Sequence, residues 1–349
     1  MRAVAAAGVA LLATACAPAG VTPATVTYTP DQAVARSAAP EPPVDPIPAV
    51  AWPLTGLDAT DADAAALSNP SIAIKIPNEG SHSRPQKGLE YADIVFEQYV
   101  EAGIPRLVAI FHSNLPEEVG PVRSMREMDA NIVGSFGGPL VFSGANSNVL
   151  NYARNTGQLL IAQDTGGSGF FRTSDRSSPY NLHVNLGDVL EQSTDSPPAT
   201  QQFTYAYPAE RATAAVEGTA ASHIDLRMSS YGEPGWDWQA DDAVWTRTEF
   251  GEPDITVDNN QISAANVVVL FVTIYFHWDL PVTEMIVDGS PGYVASEGKY
   301  IPILWSKADR TGEYVLTTES GEPVELAPGQ TWIELIPNAG VSGGHANFS

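Results

Sequence analysis

The chain has 349 residues, 44% of them hydrophobic, and a formal net charge of −24. A chain of this length and composition can bury a sizeable core, which predicts two folded domains and argues against a disordered tail. The acidic excess would repel a phosphate backbone, so we expect no nucleic acid partner. An anion can bind only where basic residues cluster locally.

The N-terminus has the pattern of an export signal. Arg2 gives a short positive region, residues 3–15 are apolar but too few to cross a bilayer, and cleavage after residue 15 would expose Cys16. This pattern resembles the bacterial lipobox, in which the thiol is acylated. The alternative is an ordinary secretory signal. Because Cys16 is the only cysteine, it has no intrachain disulfide partner, and we predict that it is lipidated.

A tether follows the predicted signal peptide (residues 1–15). It spans residues 16–50 and is rich in Pro and Ala, a composition that favours extended chain. Because no later segment has 18 consecutive apolar residues, the predicted membrane anchor is the lipid. We therefore expect an extracytoplasmic protein that is lipid-anchored to the cell membrane. Beyond the tether, we predict an N-terminal α/β-type domain at residues 51–212 and a C-terminal β-rich domain at residues 213–349.

Three strands open the first domain. The segments 71–78 and 92–103 suit strands, and 105–113 is predicted to pair with the second across Gly103. A period of two places apolar residues on one face of the second strand and the acids on the other. This acidic row is either a solvated face or the lining of a cleft that holds arginines or a divalent cation. Its members are Asp93, Glu97 and Glu101.

The stretch GPVRSMREMD predicts a helix that begins near Ser124, with Ser124 as N-cap and Glu127 three residues later. Arg123 and Arg126 would then lie at a helix N-terminus, where free backbone N–H groups favour an anion. The segment 138–157 predicts a strand, a turn and a helix. A polar loop, a short strand near Leu182 and another helix follow. The first domain is therefore predicted to be a mixed sheet flanked by helices, and the fold class to be α+β.

Between residues 88 and 210 there are six arginines and no lysine. The planar guanidinium binds carboxylate or phosphate through two hydrogen bonds, so the cluster is a candidate for ligand binding. The alternatives are internal pairing with the acidic row and a composition biased towards arginine. The candidate ligand-binding residues are Arg106, Arg123, Ser124, Arg126, Arg172, Arg176 and Asn181.

The second region contains long β-branched and aromatic runs separated by turn residues, which predict a smaller, mostly antiparallel β domain. Its tryptophans at 278, 305 and 332 suit either a hydrophobic core or a platform for stacking sugars. The six histidines have no metal-ligand spacing, and no phosphate loop or nucleophile elbow is present. We assign no metal and no cofactor.

The run GLEYADIVFEQYVEAGIPRLVAIFHSNLPEEVGPVRSMR and the later FFRTSDRSSPYNLHVN together resemble the YerB-type lipoproteins. That family pairs an N-terminal and a C-terminal domain of unknown function, and the resemblance covers residues 53–192 well and the remainder more loosely. The family's usual Pro-His-Asn-Leu-Tyr pattern departs here, because Tyr180 and His183 have exchanged places. The resemblance implies a lipid-anchored envelope protein and brings no established reaction.

A weaker similarity is to the LytR-Cps2A-Psr enzymes, which move wall polymers from polyprenyl pyrophosphate carriers. That alternative requires arginines around a pyrophosphate and acids that hold Mg²⁺, roles that Arg123, Arg126, Asp93 and Glu97 would fill. We rank binding or scaffolding of an anionic envelope ligand or polymer first, polymer transfer second and a structural accessory role third.

Overall fold

The computed structural model describes residues 47–338 and 343–349. The predicted signal peptide, the acylation of Cys16 and nearly all of the tether lie outside these residues. Within the described ranges, no helix has both the length and the apolar character needed to cross a membrane.

The N-terminal half alternates short strands and helices. Its strands are β1 (Ile72–Pro77), β2 (Ile94–Tyr99), β3 (Pro105–Phe111), β4 (Glu118–Val119), β5 (Leu140–Phe142), β6 (Leu160–Ala162), β7 (Phe170–Arg172), β8 (Leu182–Asn185) and β9 (Thr204–Tyr205). Its α-helices are α1 (Ala64–Leu67), α2 (Gly80–Ser83), α3 (Glu127–Val133), α4 (Ser147–Asn155) and α5 (Leu186–Glu191). Short 3₁₀ turns lie at Leu89–Tyr91, Glu101–Gly103, Gln163–Thr165 and Ala209–Arg211.

The C-terminal half begins with helix α6 (Thr213–Glu217) and continues almost entirely as strands. They are β10 (Thr219–Ala220), β11 (His223–Arg227), β12 (Pro234–Gln239), β13 (Val244–Glu249), β14 (Glu252–Pro253), β15 (Ser263–Ala264), β16 (Asn266–Val272), β17 (Ile274–His277), β18 (Leu280–Thr283), β19 (Val287–Ser296), β20 (Lys299–Lys307), β21 (Val315–Thr317), β22 (Glu325–Leu326), β23 (Thr331–Pro337) and β24 (His345–Phe348). The predicted fold class, α+β with a mixed sheet and antiparallel β structure, is confirmed.

One large sheet joins the two halves. Its strand order is β10-β20-β19-β16-β23-β2-β3-β1-β5-β6, and β21 pairs with β20. The chain therefore crosses the predicted boundary at residues 212/213 and returns, because β23 pairs in parallel with β2 of the first half. The boundary stays a prediction.

Six strands of this sheet point the same way. β1, β5 and β6 are mutually parallel, as are β2, β23 and β16, and β3 runs antiparallel between β1 and β2. Their carboxyl ends therefore meet at one edge of the sheet, which we call the carboxyl edge. It is defined by Pro77, Tyr99, Phe142, Ala162, Val272 and Pro337. The opposite end is the amino edge.

Both faces of the sheet are covered. One face packs in a core that includes Phe96 and residues of α3 and α4, and the other packs on a second sheet through Trp236. For this reason β1 and β3 are buried at every position and show no alternation of buried and exposed residues. The solvated-face interpretation of the acidic row is wrong for Asp93 and Glu97, which are 1% and 0% exposed, because β2 is a central strand.

The predicted hairpin of β2 and β3 is confirmed, with Tyr99 opposite Pro105. The predicted N-cap is wrong by two residues, since Arg126 and not Ser124 caps α3, which begins at Glu127. The physical reason is that the backbone N–H of Arg126 donates to the Asp129 carboxylate at 2.6 Å, while Ser124 binds guanidinium groups instead.

Candidate anion-binding site

Two guanidinium groups meet on one serine at the carboxyl edge. Arg106 lies at the start of β3, and its Nη1 donates to the hydroxyl and carbonyl oxygens of Ser124 at 3.1 and 3.3 Å. Nη1 of Arg126 donates to the same hydroxyl at 3.0 Å. The antiparallel hairpin places Arg106 beside the loop that leads into α3. Like charges are thus held close together by a neutral side chain.

Arg126 is neutralised by Glu101. Its Nη2 and Nε lie 2.6 and 2.8 Å from Oε2 of Glu101, which follows the end of β2. Burial alone would raise the pKa of Glu101, but the hydrogen bonds and charge of Arg126 lower it below its ordinary value. This ion pair is therefore complete within the protein.

Arg106 has no such partner. It is 5% exposed, and within the described residues no carboxylate lies at ion-pair distance from it. Its Nε is buried without a hydrogen bond. Burial, followed by the positive charge of Arg126, lowers the pKa of Arg106 to about 10. The charges of Glu101 and Glu79 act in the opposite direction without forming an ion pair with it. A buried cation without an ion-paired carboxylate is costly, so an incoming anion would relieve an existing cost.

Arg123 is also without an acidic partner in the described part of the chain. Its guanidinium carbon lies 5.0 Å from the centre of the Tyr180 ring, and its Nε is buried with no hydrogen-bond partner. The Tyr180 hydroxyl donates to Glu79, which is the second residue after the end of β1. Burial and Glu79 raise the pKa of Tyr180, whereas Arg123 and Arg106 act to lower it. Tyr180 therefore contacts Arg123 through its ring and Glu79 through its hydroxyl.

A buried ion pair lies beneath these arginines. The Lys75 ammonium on β1 is 2.8 Å from Asp129 on α3, and both side chains are 0% exposed. Asp129 also accepts from Gln98 at 2.5 Å. Burial lowers the pKa of Lys75 to about 8; Asp129 opposes this shift, whereas Arg106 and Arg126 add to it. Lys75 and Arg126 are therefore paired with acids of the protein, whereas Arg106 and Arg123 have no such pair among the described residues.

The other three predicted ligand-binding residues do not join this cluster. Arg172 is exposed, and its Nη1 donates to Asn181 at 2.8 Å. Arg176 donates to Asp175 at 3.2 Å and to the backbone carbonyls of Ser83 and Pro85 at 3.1 and 2.5 Å. These contacts fasten the 170–183 loop to the segment after β1.

The acids proposed for Mg²⁺ lie in separate places. Asp93 accepts from the backbone and hydroxyl of Ser113 near the amino edge, beside a cavity of about 510 Å³, and burial raises its pKa to about 6. Glu97 faces the second sheet, and Glu101 binds Arg126. Among the described residues, no three His, Cys, Asp or Glu side chains are grouped to hold a metal ion.

A different arginine, Arg247 of β13, is paired with three acids, although its Nε is also buried without a hydrogen bond and its guanidinium carbon lies 5.0 Å from the centre of the Trp332 ring. Its side chain is 0% exposed and lies 2.6 Å from Glu97, 2.8 Å from Glu249 and in contact with Asp254. Although burial opposes it, the charges of these carboxylates raise the pKa of Arg247 above its ordinary value. Glu334, the register neighbour of Glu97, has its pKa raised by burial and by the Glu97 charge. The charge of Arg247 is therefore balanced within the protein. We call Arg247 and these four acids the Arg247 cluster.

Sequence reasoning missed the residues that surround the site. These are Lys75, Glu79, Asp129 and Tyr180. A lysine within the isoleucine-rich run SIAIKIPN was one available signal, because an apolar strand rarely contains a cation without a buried partner.

Two family models match the chain. The model described as "Protein of unknown function (DUF3048) N-terminal domain" matches residues 54–199, and the model for the DUF3048 C-terminal domain matches residues 224–333. Together they cover more than half of the sequence.

A curated relative and a solved structure agree with these matches. The chain is 25% identical over 305 residues to the protein named "Putative lipoprotein YerB" of Bacillus subtilis (strain 168), covering 82% of this chain and 86% of the relative. The crystal structure of YerB from Bacillus subtilis superposes with a TM-score of 0.70 at 21% identity, covering 85% of this chain and 99% of that one. The structural likeness establishes a shared fold.

Proposed function

Because the chain belongs to the family of paired DUF3048 domains, as its YerB-type resemblance predicted, we propose that it is a lipid-anchored envelope protein whose carboxyl edge binds an anionic ligand. The observation that carries the proposal is the pair of arginines, Arg106 and Arg123, that have no carboxylate partner among the described residues of a chain with net charge −24. Ligands of open α/β sheets bind outside the carboxyl ends of the strands, where this pair lies.

Calorimetry with inorganic phosphate on the full-length protein in detergent tests the site. We expect Arg123→Ala to weaken phosphate binding at least tenfold, because a charge-assisted hydrogen bond contributes about 1.5–3 kcal/mol. Arg154→Ala is the matched control, since Arg154 is exposed on the last turn of α4 and its loss changes the net charge equally. Equal weakening in both variants, or no phosphate binding by the parent protein, would contradict the proposal.

The anchor is tested separately. Metabolic labelling with a radioactive fatty acid should mark the protein, and Cys16→Ser should abolish the label and release the protein from the membrane fraction. A Cys16→Ser protein that stays in the membrane fraction would show that another element holds it there. Polymer transfer gains no support from the separated acids, and we propose no second function.

A further inference from the structure

An aromatic hairpin follows the end of β16 at the carboxyl edge. β16 ends at Val272 on the carboxyl edge, and the chain continues directly into the hairpin of β17 and β18. Three aromatic side chains at its tip are exposed: Tyr275 by 38%, Phe276 by 65% and Trp278 by 39%. A contiguous patch of exposed apolar side chains often marks a binding site.

The tip keeps a tryptophan in an unfavourable backbone conformation. The two turn residues, Trp278 and Asp279, have φ of 52° and 60°, values at which hairpin turns normally use Asn or Gly. A bulky residue at positive φ is an outlier that often marks a functional position. Here the Trp278 ring stacks on His277 with ring centres 3.8 Å apart, which holds the indole at the tip.

The hairpin of β17 and β18 is fastened to the first turn of α3. Nδ1 of His277 lies 2.8 Å from the carboxylate of Glu127. Glu127 is the first residue of α3 and directly follows Arg126. The aromatic hairpin therefore contacts the residue next to Arg126, at the same edge of the sheet as Arg106.

The first described residues lie at the other end of the sheet. The Trp52 ring packs edge-on against His112, just past the end of β3, with ring centres 5.2 Å apart. The carbonyl of Thr55 accepts from Gly329, just before β23 begins. Both contacts are at the amino edge, about 20 Å from the carboxyl edge for strands of six residues. The described chain therefore begins at the edge of the sheet away from Arg106.

We propose that the carboxyl edge binds a phosphorylated sugar of an envelope glycan, with Arg106 and Arg123 holding the phosphate and Phe276 and Trp278 packing on the sugar ring. Two unneutralised guanidinium groups suit a dianionic phosphate monoester, and exposed aromatic rings suit the apolar face of a sugar. This inference rests on the proposed anion site and names its ligand class.

Calorimetry on the full-length protein in detergent compares N-acetylglucosamine 1-phosphate with inorganic phosphate. We expect the sugar phosphate to bind about tenfold more tightly, as one aromatic contact allows. Trp278→Ala and Phe276→Ala should each bring the ratio of the two affinities close to one. Tyr91→Ala is the matched control, because Tyr91 is an exposed aromatic residue at the amino edge, and it should leave the ratio at its parent value.

The outcomes separate this inference from the anion site itself. Equal affinities for the two probes in the parent protein overturn the sugar assignment, while phosphate binding that depends on Arg123 leaves the anion site standing. Absence of binding by both probes overturns both proposals. If Phe276→Ala instead lowers the partitioning of the Cys16→Ser protein onto phosphatidylglycerol vesicles and leaves the affinity ratio unchanged, the hairpin contacts membrane and the sugar assignment is wrong.

Discussion

The two arginine clusters of this protein are opposites in charge balance. Arg247 is surrounded by three carboxylates, and their charges raise its pKa. Arg106 is almost as deeply buried but hydrogen-bonds to Ser124 and forms no ion pair within the described residues, and burial with a neighbouring arginine lowers its pKa to about 10. Burial is therefore common to both, and the difference lies in whether the protein supplies the counter-charge.

This difference separates structural from ligand-directed arginines. An arginine whose charge is balanced inside the fold stabilises it, and removing that arginine leaves the acids uncompensated. An arginine without an internal counter-charge weakens the fold and is available to an anion from outside. Replacing the arginine with methionine should consequently destabilise the protein strongly in the Arg247 cluster and have little effect on stability at Arg106.

The largest expected effect is that of Arg247→Met. Loss of this guanidinium leaves Glu97, Glu249, Asp254 and Glu334 close together with Arg84 as the remaining cation. We expect the free energy of unfolding to fall by about 3–5 kcal/mol, measured by urea denaturation. Arg154→Met serves as the control at an exposed position. A loss of less than about 1 kcal/mol would show that the buried acids are protonated and need no cation.

Arg106→Met is the contrasting substitution. Methionine fills similar space and leaves no carboxylate unpaired, so we expect the free energy of unfolding to change by less than about 1 kcal/mol. The same variant should bind sulfate about ten- to a hundredfold more weakly, because charge-assisted hydrogen bonds to the anion are lost. Destabilisation as large as that of Arg247→Met would place Arg106 among the structural arginines and break the comparison.

Local sequence pattern was sufficient to bring Glu101, Arg106 and Arg126 to one edge and insufficient for the Arg247 cluster. The hairpin of β2 and β3 follows from two apolar runs around a glycine, and it brings Glu101 and Arg106 to the same edge as Arg126. These contacts need one turn and one loop. The pairing of Arg247 with Glu97 joins residues 150 positions apart, across two different sheets. No local period carries that information.

The period itself misled the interpretation of β2. Alternation predicts a buried and an exposed face only for a sheet with one covered side. Because the second half of the chain returns to add β23 beside β2 and a second sheet behind it, Glu97 is enclosed at 0% exposure.

The prediction that α3 is capped by Ser124 was wrong because a contact distant in sequence competes with the local pattern. Serine is a preferred N-cap residue, but the hydroxyl of Ser124 accepts hydrogen bonds from Arg106 and Arg126 and does not cap the helix.

A pH titration of sulfate binding sharpens the comparison further. Burial lowers the pKa of Lys75 to about 8 and that of Arg106 to about 10. Each group loses its charge as the pH rises through its folded pKa, whereas the charge of sulfate is constant in this range. We expect the affinity for sulfate to fall about five- to tenfold between pH 7 and 10.5, measured by calorimetry. Circular dichroism over the same range checks that the fold is intact. A sulfate affinity that is constant throughout would contradict the proposal that these cations bind the anion.

Glu101→Gln should give the smallest effect, and it acts in the opposite direction. The substitution removes the single carboxylate that neutralises Arg126 within the described residues and keeps a side chain that can still accept a hydrogen bond. Arg126 then becomes a third arginine without a counter-charge, beside Arg106 on the same serine hydroxyl. Because this ion pair is partly exposed and screened, we expect only about a threefold gain in sulfate affinity at low salt, and less at high salt. Glu127→Gln is the control, because it removes the same charge from the residue that follows Arg126. The Glu127 carboxylate binds His277 and not an arginine. A gain as large in that control would mean that net charge, and not the local balance at Arg126, governs the binding of anions.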